Sequence, residues 1–335
     1  MSSKTSLISN SIKVGITIGD PSGIGPAVIL KALNQLKGFA DFTIIGDNWV
    51  LSRVPKVQKF ISRYGGGPEE SKVKFNDLNN VDRRRFSFGR IRAEYGRASI
   101  EYLDFALGLL KKKQIDCLVT APISKEAVNL AGFNYSGHTE YFIRNTGVSD
   151  VVMMLINDKL RFSLATRHLA LSKVASNLNK HKLYNNILLT YRSLRKVFGI
   201  KNPRIVVCGI NPHASDNGLI GKEENTIIKP CLKEIRKVVK AGIEGPLPSD
   251  IAISRAADGQ YDCVVAIYHD QALIPLKLTS AESGVNLTLG LPFIRTSPLH
   301  GTAFDIANNS KLADPSSLIA AIRLAVKCAL NLKRA

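Results

Sequence analysis

Three histidines in this chain each close a short apolar run. Phe162-Ser163-Leu164-Ala165-Thr166-Arg167 precedes His168, Ile205-Val206-Val207-Cys208-Gly209-Ile210-Asn211-Pro212 precedes His213, and Val264-Val265-Ala266-Ile267-Tyr268 precedes His269. Runs of this length, rich in Val and Ile and bounded by polar residues or Gly and Pro, read as buried parallel strands. In an open α/β sheet, ligands bind just beyond the carboxyl ends of the strands. Three strand-end imidazoles can therefore meet in one cleft. Three neutral imidazoles with an open position describe a catalytic metal site. The competing reading is three unrelated loop histidines. The chain has six histidines in all, and the repeated context favours the shared site.

The rest of the chain supplies the partners of such strands. Residues 13–18 and 41–45 read as strands. Between them lie the tight loop Gly19-Asp20-Pro21-Ser22-Gly23-Ile24-Gly25-Pro26 and a helix to about Lys37, with Pro26 in its first turn. The glycine spacing is not the dinucleotide fingerprint, although a helix N-terminus suits an anion. Residues 50–90 look irregular, with Gly65-Gly66-Gly67-Pro68 as a turn. Ile100, Leu103, Leu107 and Leu110 mark a helix over 99–110. Residues 117–120 read as a strand, and Ser136-Gly137-His138-Thr139-Glu140 leads into another helix. Residues 151–156 and 160–166 read as consecutive strands turned at Asn157-Asp158. Helices are expected over 172–198, 223–240 and 315–332, a rigid loop over 245–250, and a strand over 285–289 that continues into a Gly/Pro-shaped loop ending at Arg295. Strands alternating with helices place the chain in the α/β class.

A length of 335 residues suits two domains. No linker separates them, so they are expected to be interwoven by chain crossing. The longest apolar run, 151–156, is too short to span a bilayer, and residues 1–10 carry no secretory signal. The five cysteines include no Cys-x-x-Cys pair and read as reduced core residues of a cytoplasmic protein. Subtracting 27 acidic from 46 basic residues gives a net charge of +19. The basic residues are scattered, and the short clusters at 83–85 and 111–113 carry no aromatic interleaving, which argues against a nucleic-acid partner. A general positive field that attracts phosphorylated metabolites fits better.

Polar residues punctuate the same strand ends. Asp270 follows His269 directly and could orient it. Asp250 follows the Pro-rich loop, Lys277 follows Pro275, Asn286 opens the alternating strand, and His138 and Thr139 open a helix. Arg and Lys beside backbone donors suit a phosphate or carboxylate. Each also has a plainer reading: Thr139 as an N-cap, Lys277 as a solvated end, Arg295 as a surface ion pair. His181, between Lys180 and Lys182, reads as a solvated residue in mid-helix. His300 is undecided from the residues alone.

Six segments, in order, carry a resemblance. They are Gly15-Ile16-Thr17-Ile18-Gly19-Asp20-Pro21-Ser22-Gly23-Ile24-Gly25-Pro26, Gly137-His138-Thr139-Glu140, Asn211-Pro212-His213-Ala214, Gly245-Pro246-Leu247-Pro248-Ser249-Asp250, Tyr268-His269-Asp270-Gln271, and the run from Gly284-Val285-Asn286 through Leu291-Pro292-Phe293-Ile294-Arg295 to Ser297. Together they resemble the 4-hydroxythreonine-4-phosphate dehydrogenases of vitamin B6 biosynthesis, from about Val14 to the terminal helix.

The resemblance implies two α/β/α domains related to isocitrate and isopropylmalate dehydrogenases, with the active site in the interdomain cleft. Residues 1–135 with 276–335 would form the cofactor-side domain, and 136–275 the domain of metal ligands and dimer contacts. It implies a homodimer whose divalent metal (zinc, cobalt, manganese or magnesium) is held by His168, His213 and His269, with histidines from both subunits. His138, Thr139, Lys277, Asn286 and Arg295 would hold the small phosphorylated substrate. His300 and Asp305 would face NAD or NADP, and Lys277, Asp250 or Asp270 would handle protons. The implied reaction oxidises the C3 hydroxyl of 4-phosphohydroxy-L-threonine and then loses carbon dioxide, giving 3-amino-2-oxopropyl phosphate for pyridoxal phosphate synthesis. D-Threonate or D-erythronate 4-phosphate dehydrogenases share that chemistry. An acyl- or phosphotransferase of the same superfamily would not need the three histidines. The chain departs from the family pattern at Asn308-Asn309-Ser310, where Gly is usual, at Leu299, where an acid is common, and at Ile251, where Thr is common. Arg167 adds a charge beside His168.

Overall fold

The computed structural model describes residues 11–55, 73–135, 137–240, 242–280 and 282–334. The turn expected at Gly65 to Pro68 lies outside them. The strands are β1 (Lys13–Thr17), β2 (Asp41–Gly46), β3 (Val73–Asp77), β4 (Cys117–Thr120), β5 (Val152–Ile156), β6 (Arg161–Leu164), β7 (Arg204–Cys208), β8 (Gly242–Leu247), β9 (Cys263–Ala266), β10 (Val285–Leu289) and β11 (Ile294–Pro298). Among the described residues they form one sheet in the order β3-β2-β1-β4-β11-β10-β5-β6-β9-β7-β8.

One flank, β3 to β11, is parallel throughout, and so is the other, β6 to β8. Antiparallel β10 and β5 join them. The chain crosses from the first flank to the second after β4 and returns at β10. Parallel strands are covered on both faces, which is why β4 and β9 are buried at every residue and read as unbroken apolar runs. The β5–β6 hairpin turns at Asn157, whose side-chain oxygen accepts from Lys159 N at 2.9 Å and Leu160 N at 2.7 Å.

Several expected boundaries move, each for a local reason. The rigid loop at 245–250 is partly the end of β8, an edge strand, where Pro246 removes no needed ladder bond. Arg295 lies inside β11 and not at a loop end, because Ile294–Pro298 pairs with β4 and β10. The long helix expected over 172–198 breaks at Asn179. Its side chain accepts from Lys182 N at 2.9 Å and caps Lys180–Lys196. His181 therefore sits exposed in a first turn and not in mid-helix. The helix expected over 223–240 opens as a π-helical turn, Glu224–Ile228. The buried Glu224 carboxylate accepts from Ile210 N and Asn211 N, at 2.9 and 2.8 Å. The helix His269–Ser280 contains Pro275, which hides it from a periodicity reading.

The helices pack on the sheet with the apolar stripes the sequence shows. Gly25–Gln35 starts with Pro26 in its first turn. Ala93–Lys111 presses against Lys125–Leu130 at Gly96, where a Cβ would lie 2.0 Å from the Ala127 oxygen. All five cysteines are buried and unpaired. No helix among the described residues is long and apolar enough to cross a membrane.

Candidate active site

The site is built around Arg295. β11 delivers it beneath the sheet surface, where the residue is 2% exposed. Its Nε and Nη2 donate to Thr120 Oγ1 at 3.2 and 2.6 Å, and Nη1 donates to Thr288 Oγ1 at 3.1 Å. Among the described residues no carboxylate pairs with it. Burial pulls its pKa down to about 9. An isolated buried charge is costly unless something of opposite sign meets it. The hydroxyls orient the guanidinium without neutralising it.

The helix His138–Thr146 opens beside this cation. His138 stacks on Phe142, with ring centroids 6.4 Å apart, and the Arg295 guanidinium lies 5.8 Å from the Phe142 centroid. Burial first, and then the Arg295 charge, holds the His138 imidazole well below its ordinary pKa, so it stays neutral. His138, Thr139, Asn286, Arg295 and His300 line one cavity of about 180 Å³. His168 lines it as well. Four residues of the lining carry a buried polar atom without a partner among the described residues: His138 Nε2, Asn286 Oδ1, His300 Nε2 and Arg167 Nη1. Buried polar atoms are normally satisfied, so their convergence on one cavity marks a ligand site.

The histidines divide. β6 and β9 are parallel neighbours, and the rings of His168 and His269 stand 5.6 Å apart. His269 Nδ1 lies 2.8 Å from Asp270 Oδ1, a contact that orients the ring and leaves Nε2 to face a ligand. Burial, followed by the Lys125 charge, lowers the His168 pKa and favours the neutral, ligating form. His213 stands exposed beyond β7, in a run of left-handed backbone from His213 to Asn217. Among the described residues no group of three or more His, Cys, Asp or Glu could hold a metal. One chain thus brings together two of the three expected ligands.

Lys277 and Asp250 are exposed and do not line the cavity. Lys277 shares a helix face with Ile274 and Leu278, which are 59% and 82% exposed. Asp305 is exposed and outside the lining, whereas His300 is within it. The glycine-rich loop reaches the His300 segment directly, with Ile24 N donating to the Thr302 oxygen at 2.8 Å. The structure adds residues that were not expected: Lys125, Glu140 and Ser297 also line the cavity. Lys125 follows β4 much as His168 follows β6, so the strand-end rule that found the histidines covers it too.

An α/β sheet with a polar cavity of this kind, lined by neutral histidines and a buried cation with no ion-pair partner among the described residues, has the make-up of a small-molecule enzyme. The model of the family described as pyridoxal phosphate biosynthetic protein PdxA matches residues 38–325. The chain belongs to that family and is a dehydrogenase. It is 41% identical to a 4-hydroxythreonine-4-phosphate dehydrogenase of Sulfurihydrogenibium sp. (strain YO3AOP1), over 94% of this chain and 98% of that one. It is 38% identical to a D-threonate 4-phosphate dehydrogenase of Cupriavidus necator, over 92% and 95%. The crystal structure of a 4-hydroxythreonine-4-phosphate dehydrogenase from Klebsiella pneumoniae superposes with a TM-score of 0.84, at 35% identity, covering 96% of this chain and 98% of that one. Family membership sets aside the transferase alternative.

Proposed function

We propose that this dehydrogenase oxidises the C3 hydroxyl of 4-phosphohydroxy-L-threonine, using NAD or NADP and a divalent metal. The observation that carries the reading is Arg295, a buried guanidinium in the cavity lining with no carboxylate partner among the described residues. A phosphate supplies the missing charge, and fork-shaped donors suit its oxygens. The names of the similar proteins supply the four-carbon skeleton.

Oxidation takes a hydride from C3 and passes the hydroxyl proton to a base; a nicotinamide, when bound, would supply the hydride acceptor. The resulting 3-keto acid breaks its bond to the carboxyl carbon, releasing carbon dioxide. The bonding pair passes into the enolate, and a proton added at C2 gives 3-amino-2-oxopropyl phosphate. His168 and His269 would hold the metal, which supplies Lewis acidity at the hydroxyl and later at the ketone. His300 and Asp305 mark the side for the cofactor, which supplies the hydride acceptor. Neutral His138, with Asn286 and Thr139, fixes the phosphorylated end beside Arg295.

His213, Asp250 and Lys277 are exposed in one chain, and Lys277 lies on an apolar face. A homodimer that covers this face would bring Lys277 to the partner's site as an acid or base and let His213 complete a shared metal site. Five buried, unpaired cysteines suit a reducing cytoplasm.

The test is formation of reduced nicotinamide with 4-phosphohydroxy-L-threonine and D-threonate 4-phosphate as rival substrates, before and after chelation. Chelator-sensitive turnover of the amino acid supports the reading. Turnover of the threonate alone keeps the chemistry and moves the enzyme to sugar-acid metabolism. No turnover of either in metal-replete protein overturns the substrate class.

A further inference from the structure

A phosphomonoester carries close to two negative charges at neutral pH, and Arg295 supplies one positive charge. The structure brings a second cation to the same end of the cavity, along two independent routes. The first runs through β4. Its last residue, Thr120, takes two of the Arg295 donors on its hydroxyl. Past Ala121-Pro122-Ile123-Ser124, the chain reaches Lys125, which lines the same cavity as Arg295. The second route runs through the helix His138–Thr146. Phe142 of that helix stacks on His138 and has the Arg295 guanidinium 5.8 Å from its centroid. Gly137 precedes the helix, and Lys125 Cε stands 3.7 Å from the position its Cβ would take.

The helix is open at this end. It runs for nine residues, and no side chain caps it among the described residues. Its first amides lack intrahelical partners and suit an anion. His138 Nε2, in the same turn, is buried with no partner among the described residues. Gly137 adds no side chain between the lysine and that turn. Glu140 Oε2 lies at the same distance from the Gly137 Cβ position, 3.7 Å. An acid in the first turn is favoured by the helix itself, and Glu140 forms no ion pair with Lys125 among the described residues. The lysine has no such explanation. It is the first residue of Lys125–Leu130, where the amide end of the helix disfavours a cation.

We propose that Lys125 is a second phosphate residue, which together with the open first turn at His138 completes the charge that Arg295 begins. The inference rests on the reading of Arg295 as the phosphate residue. Arg295 is buried and Lys125 exposed, so the lysine meets the phosphate from the solvent side. The consequence is specificity: two cations and a helix end favour a phosphate dianion over a neutral hydroxyl at the same carbon.

The discriminating ligands are 4-phosphohydroxy-L-threonine and 4-hydroxy-L-threonine, which lacks only the phosphate. Affinities are read by calorimetry without nicotinamide, so neither compound turns over. Wild-type protein should bind the phosphorylated compound more tightly. Lys125→Gln should lose about 10-fold in affinity for it, the low end for a hydrogen bond to a charged group, because the lysine is partly solvated. The same variant should lose almost nothing for 4-hydroxy-L-threonine, and Lys125→Arg should keep most of the phosphate affinity. Lys112→Gln makes the same charge change at an exposed residue outside the lining and should leave both ligands unaffected. That control separates a local contact from a general positive field. Melting curves give a second reading, in which Lys125→Gln should need about 10-fold more inorganic phosphate for the same stabilisation. Unaltered phosphate affinity in Lys125→Gln, equal losses on both ligands, or an equal loss in Lys112→Gln would overturn the assignment. Wild-type protein that binds the two ligands equally would remove the phosphate reading of Arg295, and Lys125 with it.

Discussion

Arg295 gives two of its donors to one hydroxyl: Nε and Nη2 both reach Thr120 Oγ1, at 3.2 and 2.6 Å. The parallel register of β11 on β4, with Arg295 opposite Leu118, brings the two side chains together. One neutral oxygen satisfies geometry but not charge. The ligand-free protein therefore carries a desolvated cation whose cost a ligand offsets.

That arrangement predicts a trade between stability and binding. Arg295→Met keeps the volume and removes the charge. It should raise the stability of the ligand-free protein by about 1–4 kcal/mol, as replacing buried ionic groups often does. Wild-type protein should gain about 2.7 kcal/mol from a phosphate ligand at a hundred times its Kd, and the variant should gain almost nothing. Melting curves with and without inorganic phosphate decide it. A variant that is less stable yet still responds to phosphate would contradict this account of the site.

Asp20 sets a pH dependence of opposite origin. It is fully buried in the glycine-rich loop. Oδ1 accepts from Ser22 N at 2.9 Å, and Oδ2 is without a partner among the described residues. Burial raises its pKa from 3.8 to about 7. The folded state then holds a proton that the unfolded state releases, so this contribution is complete below 3.8 and is lost as pH rises through about 7. The loss amounts to about 4 kcal/mol, at about 1.4 kcal/mol per pH unit. Asp20→Asn keeps the Oδ1 acceptor and cannot ionise. Its stability relative to wild type should climb between about pH 4 and 7 and then level off. Parallel urea-unfolding curves for the two proteins across that range would refute it.

What was legible in the chain followed from local rules. The runs ahead of His168 and His269 read as strands because both faces are buried, and the neighbouring pairing of β6 and β9 brings the two rings together. His138, Thr139, Asn286 and Arg295 line one cavity. Arg295 inside a strand was not legible, because Gly290, Pro292 and the turn before it mask the alternation of β11. Lys125 and Glu140 were passed over because a lysine or glutamate near a helix start looks like ordinary solvated surface. His213, Asp250 and Lys277 lie outside the cavity lining. All three are exposed, and the strand-end rule that put them on the candidate list does not say which way a side chain beyond a strand turns.

The contact between His269 Nδ1 and Asp270 Oδ1, at 2.8 Å, predicts a metal effect separate from turnover. A carboxylate on the far nitrogen fixes the tautomer and raises the basicity of the ligating one. Asp270→Asn should weaken metal binding by about 10- to 100-fold. Competition with a metal-sensitive dye reads it directly. The carboxylate is 70% exposed, so its loss should leave melting of the metal-free protein nearly unchanged. Unaltered metal affinity would mean that Asp270 is a bystander.

Gly96 tests whether the Lys125 helix is held by packing. In an open helix Gly→Ala gains about 1 kcal/mol from propensity. Here a Cβ would sit 2.0 Å from the Ala127 oxygen and 2.5 Å from Val128 N, and backbone atoms cannot rotate away. Helix Ala93–Lys111 would have to lift from Lys125–Leu130, so the sign should reverse, with a net loss of about 1–3 kcal/mol. Gly108, in the same helix, has open space where its Cβ would stand. Gly108→Ala should therefore show the ordinary gain. Equal shifts in melting temperature for the two alanine variants would show that the close approach at Gly96 does not hold the helices together.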